Sequence, residues 1–181
     1  MMIKFNVASV HLCTELEGPF RRAAIWFQGC DIGCPGCCNP ELQPLTASHI
    51  VTLEELVGAV ADSRRYGTEG VTFLGGEPTL QQNLHILAQE IQRLGMGVIL
   101  FTGRRIEELD LRLLGCCDLI ADGAFIAEKR DNKRNLIGSE NQELYFITDR
   151  YRASREWFYQ KRSPAARIDV SDGLYITGDV L

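Results

Sequence analysis

Four of the chain's seven cysteines lie within nine residues, in Cys30-Asp-Ile-Gly-Cys34-Pro-Gly-Cys37-Cys38. No other feature limits the fold so sharply, because sulfur ligands at CxxxCxxC spacing have to be delivered together by one loop. Gly33, Pro35 and Gly36 supply the bends that let the thiols of Cys30, Cys34 and Cys37 converge on one face. Thiolates are the soft ligands that iron–sulfur clusters require. Electron-transfer clusters use four cysteines, so three leave one iron open for substrate, and an open metal position is a signature of catalysis. Two other readings stand beside this one. The cysteines could be small buried apolar groups, although a loop rich in Gly and Pro seldom supplies a core. They could also form a zinc site with Cys38 as fourth ligand, but structural zinc sites join two short pairs at a distance and the adjacent Cys116-Cys117 lacks that spacing. Cys13, Cys38, Cys116 and Cys117 are expected to be structural.

The segments around the loop alternate between strand and helix patterns. Residues 24–28 form a short apolar run ending in Gly29-Cys30, which predicts a strand that delivers the chain into the cysteine loop. Thr52 and Glu55 fit a capping box ahead of Leu53, Leu56, Val57, Val60 and Ala61 at helical spacing, with Gly67 as the stop. Residues 71–74 predict a buried strand that runs into Gly75-Gly76-Glu77-Pro78. Thr79 and Gln82 fit a second capping box, and Leu80, Leu84, Leu87, Ile91 and Leu94 predict a helix ending at Gly95. Residues 97–101 predict a third strand ending at Thr102-Gly103, residues 106–114 an amphipathic segment, and residues 119–121 a fourth strand that leads to Asp122. Strands and helices in this alternation argue for an α/β fold with a parallel sheet. Ligands bind at the carboxyl ends of such strands, where the cysteine loop, the Gly-Gly-Glu-Pro turn and Thr102-Gly103 meet. Near the C-terminus, residues 167–170 and 174–177 flank Ser171-Asp172-Gly173 and predict a β-hairpin.

The 181 residues, 45% of them apolar, amount to one domain, and no repeat, linker or low-complexity tract divides residues 1–181. A net charge of −5 and a pI near 5.3 repel nucleic acid and anionic lipid, so such partners would need a local basic patch. Residues 150–162 interleave basic and aromatic side chains. That pattern suits single-stranded nucleic acid, and more often it marks a segment that packs its aromatics inward or docks a partner. No apolar run approaches the roughly 20 residues of a membrane span. Met1-Met2-Ile3-Lys4-Phe5-Asn6 does not read as a signal peptide, so a cytoplasmic location is expected. Closely spaced thiols in a reducing compartment bind metal or do chemistry rather than form disulfides. His11 and His85 carry no ligand pattern and are expected to be structural.

Trp26-Phe27-Gln28-Gly29-Cys30, the CxxxCxxC spacing and Asn39-Pro40 together resemble the cluster loop of the radical S-adenosylmethionine (SAM) superfamily. The similarity is greatest to the anaerobic ribonucleotide reductase activating proteins and related single-cluster glycyl-radical-activating enzymes. Gly75-Gly76-Glu77-Pro78 resembles the superfamily's second motif, and Thr102-Gly103 the Thr-Gly of the activating proteins. Asp122-Gly123-Ala-Phe125, Arg130-Asp131 and Gly138-Ser139-Glu-Asn141-Gln142 resemble further elements of those proteins. Upstream, Gly18-Pro19 and Arg21-Arg22 resemble their Gly-Pro-Gly-x-Arg, with Phe20 in place of the second glycine. The similar core runs over residues 17–145, and residues 150–181 form a C-terminal extension.

The resemblance implies a partial parallel (β/α) barrel and a [4Fe-4S] cluster on Cys30, Cys34 and Cys37. It further implies SAM chelating the open iron, seated by Gly75, Gly76, Glu77 and Pro78 with Asn39, Thr102, Gly103 and Asp122. The chemistry it implies is reductive cleavage of SAM to methionine and a 5′-deoxyadenosyl radical, with the electron from a flavodoxin- or ferredoxin-type donor. The target would be a glycine on a partner glycyl-radical enzyme such as anaerobic ribonucleotide reductase. Alternatives are modification of a small molecule or peptide, or an iron–sulfur electron-transfer protein without SAM chemistry. Among the first of these, the deazaguanine carboxy synthases usually carry Asp-Thr where Cys38-Asn39 stands here.

Overall fold

The computed structural model describes residues 2–160, together with the backbone of 166–170 and 174–178. Its main sheet is built in the order β1 (Lys4–Thr14), β2 (Arg22–Phe27), β3 (His49–Thr52), α1 (Leu53–Ser63), β4 (Gly70–Gly75), α2 (Leu84–Arg93), β5 (Gly97–Phe101), α3 (Leu111–Leu114), β6 (Leu119–Asp122) and β7 (Glu143–Phe146). In space the strands run β3-β1-β2-β4-β5-β6-β7. The four central strands β2, β4, β5 and β6 are parallel, in register at Ala23 with Val71, Val71 with Val98, and Leu100 with Ile120. These are the strands that the apolar runs predicted, and every residue of β2 and of β6 is buried. Strands covered on both faces read as continuous apolar runs, which is why they stand out in the sequence.

The flanks differ from the all-parallel expectation. β1 lies antiparallel on β2 and β3 antiparallel on β1, while β7 lies antiparallel on β6 at the other edge. Fully buried positions in β1 are confined to Phe5, Val7 and Thr14, and neither β3 nor β7 has one. Strands with so little burial carry almost no apolar period to read.

Helix starts follow local side-chain chemistry. Thr52 and Glu55 form the expected capping box: the Thr52 hydroxyl accepts from the Glu55 amide at 3.2 Å, and the Glu55 carboxylate accepts from the Thr52 amide at 2.8 Å. The second expected box does not form. α2 begins at Leu84 with Asn83 as its cap, because Pro78–Leu80 makes a 3-10 turn and the Thr79 hydroxyl donates to Glu77. Residues 106–114 divide into a 3-10 turn at Ile106–Glu108 and the one-turn α3, where Asp110 accepts from the Arg112 amide at 2.8 Å.

Two apolar layers clothe the sheet. One joins its face to α1 and α2 through Leu56, Val60, Leu84, Leu87 and Ile91. The other packs Ile99 and Leu119 against Tyr151 and Phe158, which flank and end the 3-10 segment Arg152–Phe158. The basic–aromatic stretch thus turns two of its aromatics inward, with Lys161 and Arg162 outside the described residues. Backbone strands β8 (Ala166–Val170) and β9 (Leu174–Gly178) pair antiparallel, and the residues of the expected turn between them lie outside the described set. Among the described residues no helix is long and apolar enough to cross a membrane.

A charge is buried at the amino ends of the parallel strands. Arg22, with no solvent exposure, donates to Thr72 Oγ1 at 2.7 Å, to the Val71 carbonyl at 2.8 Å and to the Tyr151 hydroxyl at 2.9 Å. Tyr151 in turn donates to Glu69 at 2.8 Å, and the guanidinium lies 4.9 Å over the Tyr151 ring. Burial and the neighbouring Glu69 hold the Tyr151 hydroxyl protonated against the opposing pull of Arg22. This cluster pins the C-terminal segment to β2 and β4. Removing one member of a buried ion-pair network leaves the others desolvated, so Arg22→Ala should lower the free energy of unfolding in urea by about 3–5 kcal/mol. A loss under about 1 kcal/mol, the size of a surface ion pair, would contradict this role.

Candidate metal and cofactor site

β2 ends at Phe27 and hands the chain to a loop that is tied down on both sides. The Gln28 amide donates to the Asn6 carbonyl at 2.9 Å, the Gly29 amide to Leu42 at 2.9 Å and the Cys30 amide to Gln43 at 3.0 Å. Within the loop Gly33 and Gly36 adopt φ of 64° and 72°, the left-handed region that the expected bends require. Cys30, Cys34 and Cys37 are free thiols and half-buried, whereas Cys38 is exposed. The Asn39 amide donates to the Cys37 sulfur at 3.4 Å. Burial pushes the Cys34 thiol up, a Phe125 backbone hydrogen bond opposes this, and the proximity of Cys37 and Cys30 adds to the rise.

This donor set fits an iron–sulfur cluster: three soft sulfurs in one loop, two of them with backbone hydrogen bonds of the kind that tune such ligands. Among the described residues no three His, Cys, Asp or Glu side chains converge on a point where a single ion could sit. Ligands of a four-iron cluster need no such point, because each thiolate binds a different iron. Cys116 and Cys117 are buried in the apolar layer beneath the sheet, as structural cysteines are.

The Gly-Gly-Glu-Pro turn ends β4 directly beside this loop. A Cβ at Gly75, whose φ is 124°, would overlap the backbone of Phe27, and one at Gly76 would overlap the Gly29 carbonyl. Glycine at both positions is therefore what lets β4 and β2 approach at their carboxyl ends. The Gly76 amide donates to Phe27 at 2.9 Å and the Glu77 amide to Gly29 at 2.8 Å.

Glu77 is wholly buried. Its Oε1 accepts from the Thr79 hydroxyl at 2.6 Å, the Thr79 amide at 3.0 Å and the Thr102 hydroxyl at 2.7 Å, while Oε2 accepts from the Gly103 amide at 2.9 Å. The side chains of Glu77 and Thr102 and the amide of Gly103 are thus engaged with one another. They fasten the ends of β4 and β5 to one another, and the Asn39 side chain nearby makes no capping bond. Asp122 is likewise committed: its carboxylate accepts from the Ile106 amide at 2.8 Å and from Arg105 at 3.2 Å. Gln142 Nε2 donates to the Gly123 carbonyl at 2.7 Å and Asn141 Nδ2 to the Ala124 carbonyl at 2.8 Å, holding the loop that carries Phe125 to Cys34. Arg134 braces this segment through Asp131 and the Gln142 carbonyl.

One residue that sequence reasoning missed joins these pieces. Arg104 donates from Nη2 to both carboxylate oxygens of Asp31, at 2.9 and 2.7 Å, and from Nε to the Thr79 hydroxyl at 2.9 Å. Its place directly after Thr102-Gly103 was the available signal, but a lone arginine at a strand end carries no pattern. If Glu77 holds the frame, Glu77→Gln should cost about 1–3 kcal/mol in chemical denaturation, because an amide cannot accept from donors on both of its sides. Unchanged stability would show that the four hydrogen bonds do not hold the frame.

Residues 16–145 match the 4Fe-4S single cluster domain. The anaerobic ribonucleoside-triphosphate reductase-activating protein of Vibrio cholerae is 32% identical over 143 residues, which cover 74% of this chain and 92% of that protein. The pyruvate formate-lyase-activating enzyme of Clostridium pasteurianum is 32% identical over 83 residues, 44% of this chain and 35% of its own. Among solved structures, Escherichia coli QueE aligns with 55% of this chain and 52% of its own at a TM-score of 0.47 and 20% identity. By the domain match and the Vibrio relative, the chain belongs to the 4Fe-4S single cluster domain family and, within it, to the radical SAM activating enzymes.

Proposed function

We propose that this radical SAM enzyme installs a glycyl radical on a partner of the anaerobic ribonucleoside-triphosphate reductase class. The observation that carries the proposal is the meeting of three motifs at the carboxyl ends of β2, β4 and β5, fastened by the four hydrogen bonds to Glu77. In this reading Cys30, Cys34 and Cys37 hold the cluster, and the backbone of Gly75 and Gly76 with Pro78 and Asn39 seats SAM. Glu77, Thr102, Gly103 and Asp122 act one step back, by fixing those elements. The open sheet is then an incomplete barrel within a single domain of residues 1–181.

When bound, the cluster would deliver one electron, received from a flavodoxin- or ferredoxin-type donor, to the sulfonium of SAM. The chemistry so supplied would be cleavage of SAM to methionine and a 5′-deoxyadenosyl radical able to take a hydrogen atom from the partner's glycine Cα. What the chain itself does is orient and shelter. The glycines at the end of β4 allow the turn to lie against the cysteine loop without side chains between them. The Phe125 segment closes over Cys34 from the β6 side. In this reading a macromolecular partner would complete the water-excluding enclosure that a reactive radical needs.

Anaerobic reconstitution with iron and sulfide should give about four irons per chain, the stoichiometry of one such cluster. The triple Cys30/Cys34/Cys37→Ala variant should retain none, and Cys116→Ala should stay close to wild type. A full iron complement in the triple variant would move the cluster elsewhere. Incubating the reduced protein with SAM and its anaerobic ribonucleoside-triphosphate reductase should produce a doublet radical signal on that partner. Deuterium placed at the partner's glycine Cα should appear in 5′-deoxyadenosine. Deuterium arriving instead from a small metabolite would retire the activase reading and leave the cluster assignment standing.

A further inference from the structure

We infer that Arg104 is a positioning residue for the cluster loop: with Asp31 it latches the Cys30–Cys34 interval onto the end of β5. The inference rests on the proposed ligand role of Cys30 and Cys34. Asp31 directly follows Cys30, and Arg104 reaches it with two hydrogen bonds from one guanidinium nitrogen at 2.9 and 2.7 Å. The same guanidinium donates from Nε to Thr79 Oγ1 at 2.9 Å, and that hydroxyl donates to Glu77 at 2.6 Å. A continuous hydrogen-bonded path therefore runs from the cysteine loop to the buried carboxylate that binds the ends of β4 and β5.

A second contact lies beside the first. The Ile32 side chain packs so closely on Gly103 that a Cβ there would overlap its Cδ1. Asp31 and Ile32, the two residues that follow Cys30, thus rest on Arg104 and Gly103, the two that follow Thr102. The bends at Gly33 and Gly36 give the loop conformational freedom that has to be lost when three sulfurs bind one cluster. A latch between Asp31 and Arg104 removes part of that freedom. Only arginine suits the position, since its planar fork presents donors to a carboxylate and to a second acceptor at once, whereas lysine offers a single point of charge. The pair is partly exposed, with side-chain accessibilities of 31% for Arg104 and 42% for Asp31, so its effect belongs to the loop rather than to global stability.

Amide hydrogen exchange on the full-length apoprotein tests this without reference to activity. Arg104→Ala and Asp31→Asn should each raise exchange across residues 31–38 about fivefold, the upper end for a partly exposed pair. The double variant should be no faster than either single variant. Arg104→Lys should not restore wild-type exchange, and α1 should be unaffected throughout. After reconstitution, the single variants should release iron to a chelator faster than wild type by a similar factor. Exchange within about twofold of wild type in both single variants, or effects that multiply in the double variant, would overturn the latch. Wild-type protein that takes up no iron would sink the cluster reading instead, and the exchange result would stand apart from it.

Discussion

A carboxylate sealed from solvent holds the end of this sheet together. Glu77 has no exposure and accepts four hydrogen bonds, two from hydroxyls and two from amides. Burying a charge costs several kcal/mol unless its lone pairs are filled, and hydrogen bonds to a charged acceptor are roughly twice as strong as neutral ones. The arrangement is therefore all or nothing: β4 and β5 must end at the same level for Thr79, Thr102 and Gly103 to reach one side chain. Gly75 and Gly76 bring in β2 by the same logic, since the close approach of the two strand ends leaves no volume for a Cβ. The cysteine loop, which leaves β2 at this level, inherits its position from both.

The two poles of the parallel strands are organised by opposite charges. At the amino ends a buried guanidinium, Arg22, gathers Thr72, Val71 and Tyr151, and Glu69 completes the network. At the carboxyl ends the buried carboxylate of Glu77 gathers the groups that frame the site. One pole fastens the segment that begins at Tyr151 to the sheet, and the other fastens the loops of the candidate site. Division of this kind, with stability at one end of parallel strands and chemistry at the other, follows from where their loops emerge.

What could be read in the sequence was what is local or continuous. β4 and β5 were legible because burial on both faces leaves a mostly apolar run, interrupted in β4 only by Thr72, and α1 because its capping box lies within four residues. The cysteine loop and the Gly-Gly-Glu-Pro turn were legible as spacing. The antiparallel strands β1, β3 and β7 were not, since few of their residues are fully buried. Thr79 misled for a physical reason: its hydroxyl could accept from the Gln82 amide at a helix start or donate to Glu77, and the buried carboxylate won. Arg22 with Tyr151 and Asp31 with Arg104 join residues 129 and 73 positions apart. No periodicity within one segment records such a pairing. Glu77 and Thr102 stood out in the sequence by their motifs, whereas the hydrogen bond that ties them together is seen only in the structure.

The central claim is that three thiolates hold the cluster and leave one iron for SAM. The most direct measurement is electron–nuclear double resonance on the reduced, reconstituted protein with SAM isotopically labelled at its amino nitrogen. The account predicts a hyperfine coupling from that nitrogen, as expected if it is bonded to an iron, and predicts that the coupling survives Cys38→Ala. Absence of any coupling in protein that carries an intact cluster, or a cluster that needs Cys38 as a fourth thiolate, would contradict it.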